Sequence, residues 1–130
     1  ITGRAAHGVD PDRFPTAPIE AANTALARAG KTWADVDFVE LNEAFASQSL
    51  ACLAGWPELD PANLNIHGGA IAIGHPLGAS GGRIIGHAAH ELKRRGGRGG
   101  DLYRRRAGAG GGARALGAAA RLFARGDAEG

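Results

Sequence analysis

A single histidine stands in a stretch whose glycine and proline spacing could hold it rigidly for acid–base chemistry. His75 lies between Gly74 and Pro76, and Gly78 follows shortly after. Glycine adopts backbone angles that other residues avoid, whereas proline fixes its own φ and favours an extended conformation in the residue before it. An imidazole on such a stiff turn is a common acid, base or hydrogen-bond donor near pH 7. The alternative is a structural histidine that is hydrogen-bonded within its turn.

A second candidate, Asn42, falls where a predicted strand gives way to a predicted helix. Polar side chains at such a junction can help to stabilise a negatively charged oxygen in a reaction. Asn42 is also suited to cap the helix, because its side chain can accept a hydrogen bond from a free backbone N–H group. The next residue, Glu43, is predicted to be a first-turn partner of the helix dipole rather than a support for the site.

The remaining candidate side chains are predicted to be structural. His87, His90 and Glu91 share one predicted helix, but their order differs from the His-Glu-x-x-His pattern of zinc proteases, and we expect no metal there. Cys52 falls in an apolar helical pattern and is predicted to be a buried, inert thiol. Because it is the only cysteine, the chain cannot contain an internal disulfide, and the cysteine content is typical of a reducing cytoplasm.

Short elements of alternating type must position these residues. Apolar spacing, together with glycine and proline stops, predicts helices over 18–29, 43–54 and 80–95 and strands over 36–41 and 70–73. The run over 36–41 has the composition of a buried parallel strand. Ser80 is a suitable N-cap for the last helix, and Gly96 would end it. Helices that alternate with short strands indicate an α/β layered domain.

Charge divides the chain into two parts. Its 130 residues suffice for one domain, and no stretch is long and apolar enough for a membrane span. Residues 1–92 carry five Lys/Arg against ten Asp/Glu, whereas residues 93–130 carry ten against three. The basic part is rich in glycine and alanine, which disfavours packed terminal strands, although a helix over 113–124 could form. Since the chain does not begin with Met, we expect it to start inside a larger protein.

Two motifs are similar to signatures of the thiolases, the acyl-CoA C-acyltransferases. Residues 65–81 read Asn-Ile-His-Gly-Gly-Ala-Ile-Ala-Ile-Gly-His-Pro-Leu-Gly-Ala-Ser-Gly, and residues 42–45 read Asn-Glu-Ala-Phe. Two long motifs in the right order are more specific than a lone glycine-rich turn. The resemblance covers residues 1–98. It implies the C-terminal half of the duplicated thiolase fold, layered α/β/α and truncated at its N-terminal side. The composition of the tail predicts that the C-terminal strands of this fold are incomplete or disordered.

The thiolase resemblance also implies a reaction and a set of site residues. Thiolases join or cleave acyl groups on coenzyme A thioesters by Claisen condensation or thiolysis, so acyl-CoA and CoA would be substrates, with no permanently bound cofactor. By resemblance, His75 activates a nucleophilic cysteine and helps to stabilise the thioester oxygen, while Asn42 orients a water toward that oxygen. Backbone contacts to the ligand could come from Gly74, Ser80 and Gly81, although capping is the favoured role of Ser80. The intact parent is expected to be a homo-oligomer.

The chain departs from the thiolase pattern at both catalytic cysteines. One belongs to the N-terminal half of the family, and the other to a Cys-x-Gly-x-Gly motif that is expected soon after residues 96–98. Here residues 99–106 read Gly-Gly-Asp-Leu-Tyr-Arg-Arg-Arg instead. Because composition and charge change near the same point, we predict that the tail over 99–130 is read in a shifted frame; the alternative is a real but divergent tail. The chain alone should then be inactive.

Two other functions fit parts of the sequence. A scaffold could keep the thiolase fold without its chemistry. A nucleic-acid-binding module could use the basic tail and would bind in a salt-sensitive way. Nucleic-acid binding is disfavoured, because only Tyr103 offers an aromatic ring beside the arginine run over 104–106.

Overall fold

Within the residues that the structure describes, the chain folds into four α-helices and three short strands. This computed structural model describes residues 1–96 and the backbone of residues 107–108 and 120–124. The helices are α1 (Ala17–Arg28), α2 (Ala46–Gly55), α3 (Ala70–Ile73) and α4 (Ser80–Gly96), and the strands are β1 (Val36–Leu41), β2 (Ala107–Gly108) and β3 (Ala120–Ala124). Short 3-10 helices cover Pro11–Thr16, Trp33–Asp35 and Pro61–Asn63.

The three strands form one sheet in the order β1-β3-β2, and both pairings are antiparallel. β1 and β3 are in register with Leu41 opposite Ala120, and Leu64 adds a single parallel bridge to Val39. The prediction of a strand over 36–41 is therefore confirmed, but its main partner runs antiparallel rather than parallel. A buried apolar run has the same composition in either arrangement, so the sequence of β1 alone does not specify the direction of its partner.

The end of the basic tail contributes the central strand of this sheet. Residues 120–124 are extended and paired with β1, so the helix considered over 113–124 is wrong for its last five residues. The other residues of that segment, 113–119, lie outside the described part. Pairing with β1 favours the extended conformation at 120–124, and local propensity does not include that contribution.

One face of β1 packs against α1 and α2 around the main hydrophobic cluster. Its buried members are Ala22, Leu26, Val39, Leu41, Cys52, Trp56 and Leu59. Small residues on the inner face of α1 allow a close approach, and Ala21 and Ala22 are fully buried. The Trp56 indole N–H donates to the Ile19 carbonyl at 3.3 Å, which satisfies the polar end of a fully buried ring.

The opposite face of β1 packs against α4. Phe38 is fully buried with Ala88 in a second, smaller cluster that also includes Ile66 and Leu92. Alternate residues of a strand point to opposite faces, so Phe38 faces α4 while Val39 faces α1 and α2. The sheet thus lies between helices on both sides, which is the expected α/β/α layering.

Two predicted elements differ from the structure next to the candidate site. Helix α2 begins at Ala46 rather than at residue 43. Residues 70–73 form one helical turn, α3, instead of a buried strand, and Ile71 and Ile73 are exposed. Four apolar residues are too few for their periodicity to separate a strand from a helical turn. The turn is closed at its end, where the Gly74 N–H donates to the Ala70 carbonyl at 2.8 Å.

Helix α4 begins at Ser80 as predicted, and its apolar residues Ile84 and Ala88 are buried in the interior. Among the described helices, none is both long and apolar enough to cross a membrane.

Candidate active site

Asn42 lies directly after β1, in a short loop that leads to α2. It is buried, with 1% of its surface exposed, and its carbonyl accepts a hydrogen bond from the Ala70 N–H at 3.2 Å. The N-cap position of α2 is occupied by Phe45, so the alternative role of Asn42 as a helix cap is wrong. The chain cannot enter the helix at Asn42, because the next residue, Glu43, has a left-handed backbone with φ of 60°.

The Glu43 side chain turns away from α2 and toward the glycine-rich segment. One carboxylate oxygen accepts a hydrogen bond from Asn65 Nδ2 at 2.6 Å, and the other accepts one from the Ile71 N–H at 3.1 Å. The prediction of a first-turn partner for the helix dipole is therefore wrong, since α2 starts three residues later. Glu43 instead supports the loop that carries Asn42.

Asn65 connects the glycine-rich segment to the end of β1. Its backbone N–H donates to the Val39 carbonyl at 2.8 Å, and its side-chain oxygen accepts from the Leu41 N–H at 2.7 Å. Its φ of 47° gives it a left-handed backbone, which Asn tolerates better than most residues. The hydrogen bonds to β1 and Glu43 come from residues more than twenty positions away, which local sequence does not reveal.

His75 is half-buried on the turn between α3 and α4. The Gly74 φ of 84° turns the chain into this position, and Arg83 Nη1 donates to the Gly74 carbonyl at 2.7 Å. His75 Nδ1 lies 2.6 Å from the hydroxyl oxygen of Ser80, which in turn donates to the Pro76 carbonyl at 3.2 Å. In the tautomer in which the hydroxyl hydrogen is directed to Pro76, Nδ1 carries the hydrogen that it shares with Ser80. The lone pair then lies on Nε2, which makes this nitrogen the basic one.

Ser80 therefore has a different role from the predicted cap. Its hydroxyl is buried between the His75 ring and the Pro76 carbonyl, so it fixes the ring orientation of the candidate base. The backbone near this ring faces open space, because a Cβ added at Gly74, Gly78 or Gly81 would meet no atom within 4 Å. A ligand could thus approach the backbone there.

Large apolar side chains surround the turn on its outer surface. Ile71, Ile73 and Leu77 are more than half exposed, as is Phe45 beside the Asn42 loop. Soluble monomers seldom expose apolar groups in such a cluster unless another surface covers them.

A row of titratable side chains next to the site was missed by sequence reasoning. His67 Nδ1 lies 2.9 Å from His87 Nε2, and His87 Nδ1 lies 2.9 Å from the Glu40 carboxylate. Burial raises the pKa of Glu40, and the nearby His87 opposes that rise. Only the alternation of β1 could have placed Glu40 on the same face as α4.

The three residues His87, His90 and Glu91 of α4 do not form a metal site. His87 contacts Glu40 and His67, whereas Glu91 accepts hydrogen bonds from Arg94 and Arg95. In the described part of the chain, no group of three or more His, Cys, Asp or Glu side chains could hold a metal ion.

Cys52 has the surroundings predicted for it. It is fully buried in the main cluster, and this burial raises the pKa of its thiol to about 12. A thiol with so high a pKa is almost entirely protonated at neutral pH, so Cys52 cannot serve as a nucleophile.

Comparison with known proteins gives the same family as these motifs. The family described as "Thiolase, C-terminal domain" matches residues 1–118. The mitochondrial 3-ketoacyl-CoA thiolase of Mus musculus is 47% identical over 98 residues, which cover 75% of this chain and 24% of the relative. The acetyl-CoA acetyltransferase of Shinella zoogloeoides is 52% identical over 100 residues, with coverage of 75% and 25%.

Solved structures agree with the sequence relatives. Human mitochondrial 3-ketoacyl-CoA thiolase superposes with a TM-score of 0.78 at 40% identity, covering 98% of this chain and 30% of that one. A structure of the same human enzyme in complex with CoA gives a TM-score of 0.73 at 40% identity, with coverage of 95% and 29%. The chain spans about a quarter of the length of the curated relatives. It belongs to the thiolase family, and it corresponds to the C-terminal domain of that family.

Proposed function

We propose that the protein to which this chain belongs is an acyltransferase of CoA thioesters, acting on acyl-CoA or 3-ketoacyl-CoA by Claisen condensation or thiolysis. The observation that carries the proposal is the His75 turn, where the Ser80 hydroxyl contacts His75 Nδ1 at 2.6 Å and orients the imidazole. Open space beside Gly74, Gly78 and Gly81 supports access for a ligand. The names of the relatives, which are 3-ketoacyl-CoA thiolases and acetyl-CoA acetyltransferases, indicate the substrate class.

In this proposal His75 and Asn42 act on different parts of one reaction. His75 Nε2 takes the proton of a cysteine thiol from outside this chain, and the thiolate attacks the thioester carbonyl. The carbonyl oxygen gains negative charge, which the histidine and a water oriented by Asn42 stabilise. When the carbonyl re-forms, the CoA thiolate leaves and the acyl group remains on the cysteine. Gly74, Ser80 and Gly81 line the approach to the ring, with Ser80 acting through His75.

The chain alone is not expected to catalyse this reaction. Its only cysteine, Cys52, is buried with a pKa of about 12. The exposed apolar residues Phe45, Ile71, Ile73 and Leu77 would be covered by further parts of a longer protein. We further propose that this parent is a homo-oligomer of the cytoplasm that takes part in fatty acid metabolism. The tail over 99–130 remains, in this proposal, a segment read in a shifted frame.

The test is to complete the enzyme. The chain would be fused to the N-terminal part of the Shinella zoogloeoides acetyl-CoA acetyltransferase, with residues after Arg98 replaced by that relative's own C-terminal segment. CoA-dependent thiolysis of acetoacetyl-CoA should appear, and His75→Asn should lower kcat by roughly 10²- to 10⁴-fold. His90→Asn, at an exposed position of α4, is the matched control and should leave kcat unchanged.

Two results would contradict the proposal. If the completed enzyme binds CoA and folds but never turns over, the non-catalytic scaffold becomes the better reading. If His75→Asn is as active as His90→Asn, His75 does not have the assigned role. A nucleic-acid function would rest on the arginine run over 104–106, which lies outside the described residues.

A further inference from the structure

Two residues with unusual backbone angles meet beside the candidate site. Among the described residues, Glu43 and Asn65 are the non-glycine positions with positive φ, at 60° and 47°. They are 22 positions apart in sequence, yet Asn65 Nδ2 donates to the Glu43 carboxylate at 2.6 Å. Left-handed backbone is tolerated by Asn and is unusual for Glu, so the surroundings must enforce it at Glu43. Strained residues of this kind cluster at functional sites.

The two side chains close a continuous set of hydrogen bonds between β1 and the glycine-rich segment. Asn65 is tied to β1 at Val39 and Leu41, and Glu43 accepts one hydrogen bond from Asn65 and one from the Ile71 N–H in α3. The Glu43 carboxylate thus forms hydrogen bonds to both ends of the segment over 65–71. We define these two side chains, Glu43 and Asn65, as the clamp.

The clamp leaves no space for a side chain at Gly69. A Cβ added at Gly69 would lie 2.3 Å from the carboxyl carbon of Glu43 and 2.8 Å from Asn65 Nδ2. Both distances are shorter than real contacts. The backbone of Gly69 is therefore packed directly against the clamp, and a side chain at this position would have to displace the Glu43 carboxylate.

We propose that Glu43 is a positioning residue that sets where Asn42 and His75 lie relative to each other. The inference rests on the proposed function. Asn42 directly precedes Glu43, and its carbonyl is bonded to Ala70 at the start of α3. His75 follows α3 by two residues, and Ile71 within α3 is bonded to Glu43. Movement of the carboxylate would therefore shift both candidate groups, and misplacement by about 1 Å can lower a rate by about 10²-fold.

The clamp requires a carboxylate rather than an amide. Both groups that form hydrogen bonds to the Glu43 carboxylate are donors, namely Asn65 Nδ2 and the Ile71 N–H. An ionised carboxylate only accepts hydrogen bonds, so it can satisfy both. A glutamine of the same shape would present its NH₂ group to one of these donors, and one of the two hydrogen bonds would be lost.

The experiment compares Glu43→Gln with Glu58→Gln, a substitution at an exposed position after α2. In the full 130-residue chain, amide hydrogen exchange followed by NMR should be at least about 10-fold faster at Ile71 in Glu43→Gln, while core amides of α1 keep their wild-type rates. The Asn65 side-chain NH₂ resonances should shift as well. Glu58→Gln should match the wild type in both measurements. Equal Ile71 exchange and equal Asn65 resonances in the two variants would overturn the clamp.

The same variants in the completed enzyme separate positioning from stability. Glu43→Gln should lower kcat by roughly 10- to 100-fold and leave KM within about twofold, because substrate contacts are intact while the reacting groups are misplaced. An unchanged kcat would overturn the positioning role even if the hydrogen bonds exist. If the wild-type completed enzyme is inactive, the proposed function fails, and the exchange measurement still decides whether the clamp exists.

Gly69→Ala provides a second variant in case Glu43→Gln does not fold. It removes no polar group but forces a methyl against the clamp. It should likewise accelerate Ile71 exchange and lower kcat in the completed enzyme. Wild-type values for both would contradict the proposal.

Discussion

At the scale of single residues, Glu91 gives the clearest link between a contact and stability. It is 1% exposed and accepts hydrogen bonds from Arg94 at 2.7 Å and from Arg95 at 2.6 Å. The hydrogen bond from Arg94 is the largest cause that lowers the Glu91 pKa to about 2. We expect Glu91→Gln to reduce the free energy of unfolding at pH 7 by about 2 kcal/mol, because the charge-assisted bonds are weakened in the folded state. Urea unfolding monitored by circular dichroism would measure it.

The pH dependence of the Glu91 effect has a definite sign. The folded-state pKa is about 2, below the ordinary value of 4.5, so the folded protein binds fewer protons than the unfolded chain between these values. The stabilisation is complete above pH 4.5 and is lost as the pH falls toward 2. Glu91→Gln should therefore flatten the acid side of the stability curve, whereas Glu58→Gln should not. Parallel curves for wild type and Glu91→Gln would rule this explanation out.

Residue types at the candidate site were predictable, but their partners were not. His75, Asn42 and Ser80 were identified from motif spacing, and the structure places His75 and Ser80 in contact. The roles of Glu43 and Ser80 were predicted wrongly as helix-end roles. Their actual partners include Asn65, 22 positions from Glu43, and the ring of His75. The sequence near a residue predicts only local hydrogen bonds. The hydrogen bond between Glu43 and Asn65 joins segments that are distant in sequence, so it could not be predicted in this way.

At the scale of elements, replacing each of two helical glycines by alanine should have opposite effects on stability. Gly86 lies within α4, and an added Cβ would meet no atom within 4 Å. Gly86→Ala should stabilise the protein by about 0.5–1 kcal/mol, because alanine loses less backbone entropy in a helix. Gly55, at the end of α2, would place a Cβ 2.6 Å from Ile19 Cδ1 and 2.9 Å from two further Ile19 atoms. Gly55→Ala should destabilise it by about 1–3 kcal/mol.

Thermal unfolding of the two variants beside the wild type is the measurement. Each variant is the control for the other, since both replace a glycine in a helix by alanine. If the melting temperature changed in the same direction for both variants, contact with Ile19 would not determine the effect of Gly55→Ala on stability.

The predicted elements agree with the structure where the segment is long and its apolar residues recur regularly. Helix α4 and strand β1 have the expected positions, because α4 repeats its apolar residues over four turns and β1 is a dense run of β-formers. The prediction failed at 43–45 and at 70–73. At the first, the left-handed backbone of Glu43 delays the helix, and at the second, four residues carry too little pattern.

At the scale of the whole molecule, Cys52 reports whether the main cluster is closed. Its thiol is fully buried, and its pKa is raised to about 12 by burial. We expect reaction with a thiol-specific disulfide reagent at pH 8 to be at least about 10³-fold slower in buffer than in concentrated urea, because the thiolate forms only after the cluster opens.

The urea sample is the control for reagent and cysteine content. Rapid, complete labelling in buffer would mean that α1, β1 and α2 do not close around Cys52 in this chain.

The pairing of β1 with β3 has a consequence for how the chain acquires its structure during synthesis. The residues of the main cluster all fall within the first half of the chain, whereas Val36 is paired with Ala124 near its end. Contacts that close long loops are made late, and a chain leaving the ribosome offers its N-terminal part first. The cluster around Trp56 can therefore assemble while the edge of β1 is still open. The risk of aggregation is greatest while this edge is unpaired, so binding of a chaperone would protect the chain most at that stage. A genetic lesion that alters the residues after Gly96 would then affect the pairing of β1 with β3 and leave the cluster around Trp56 intact.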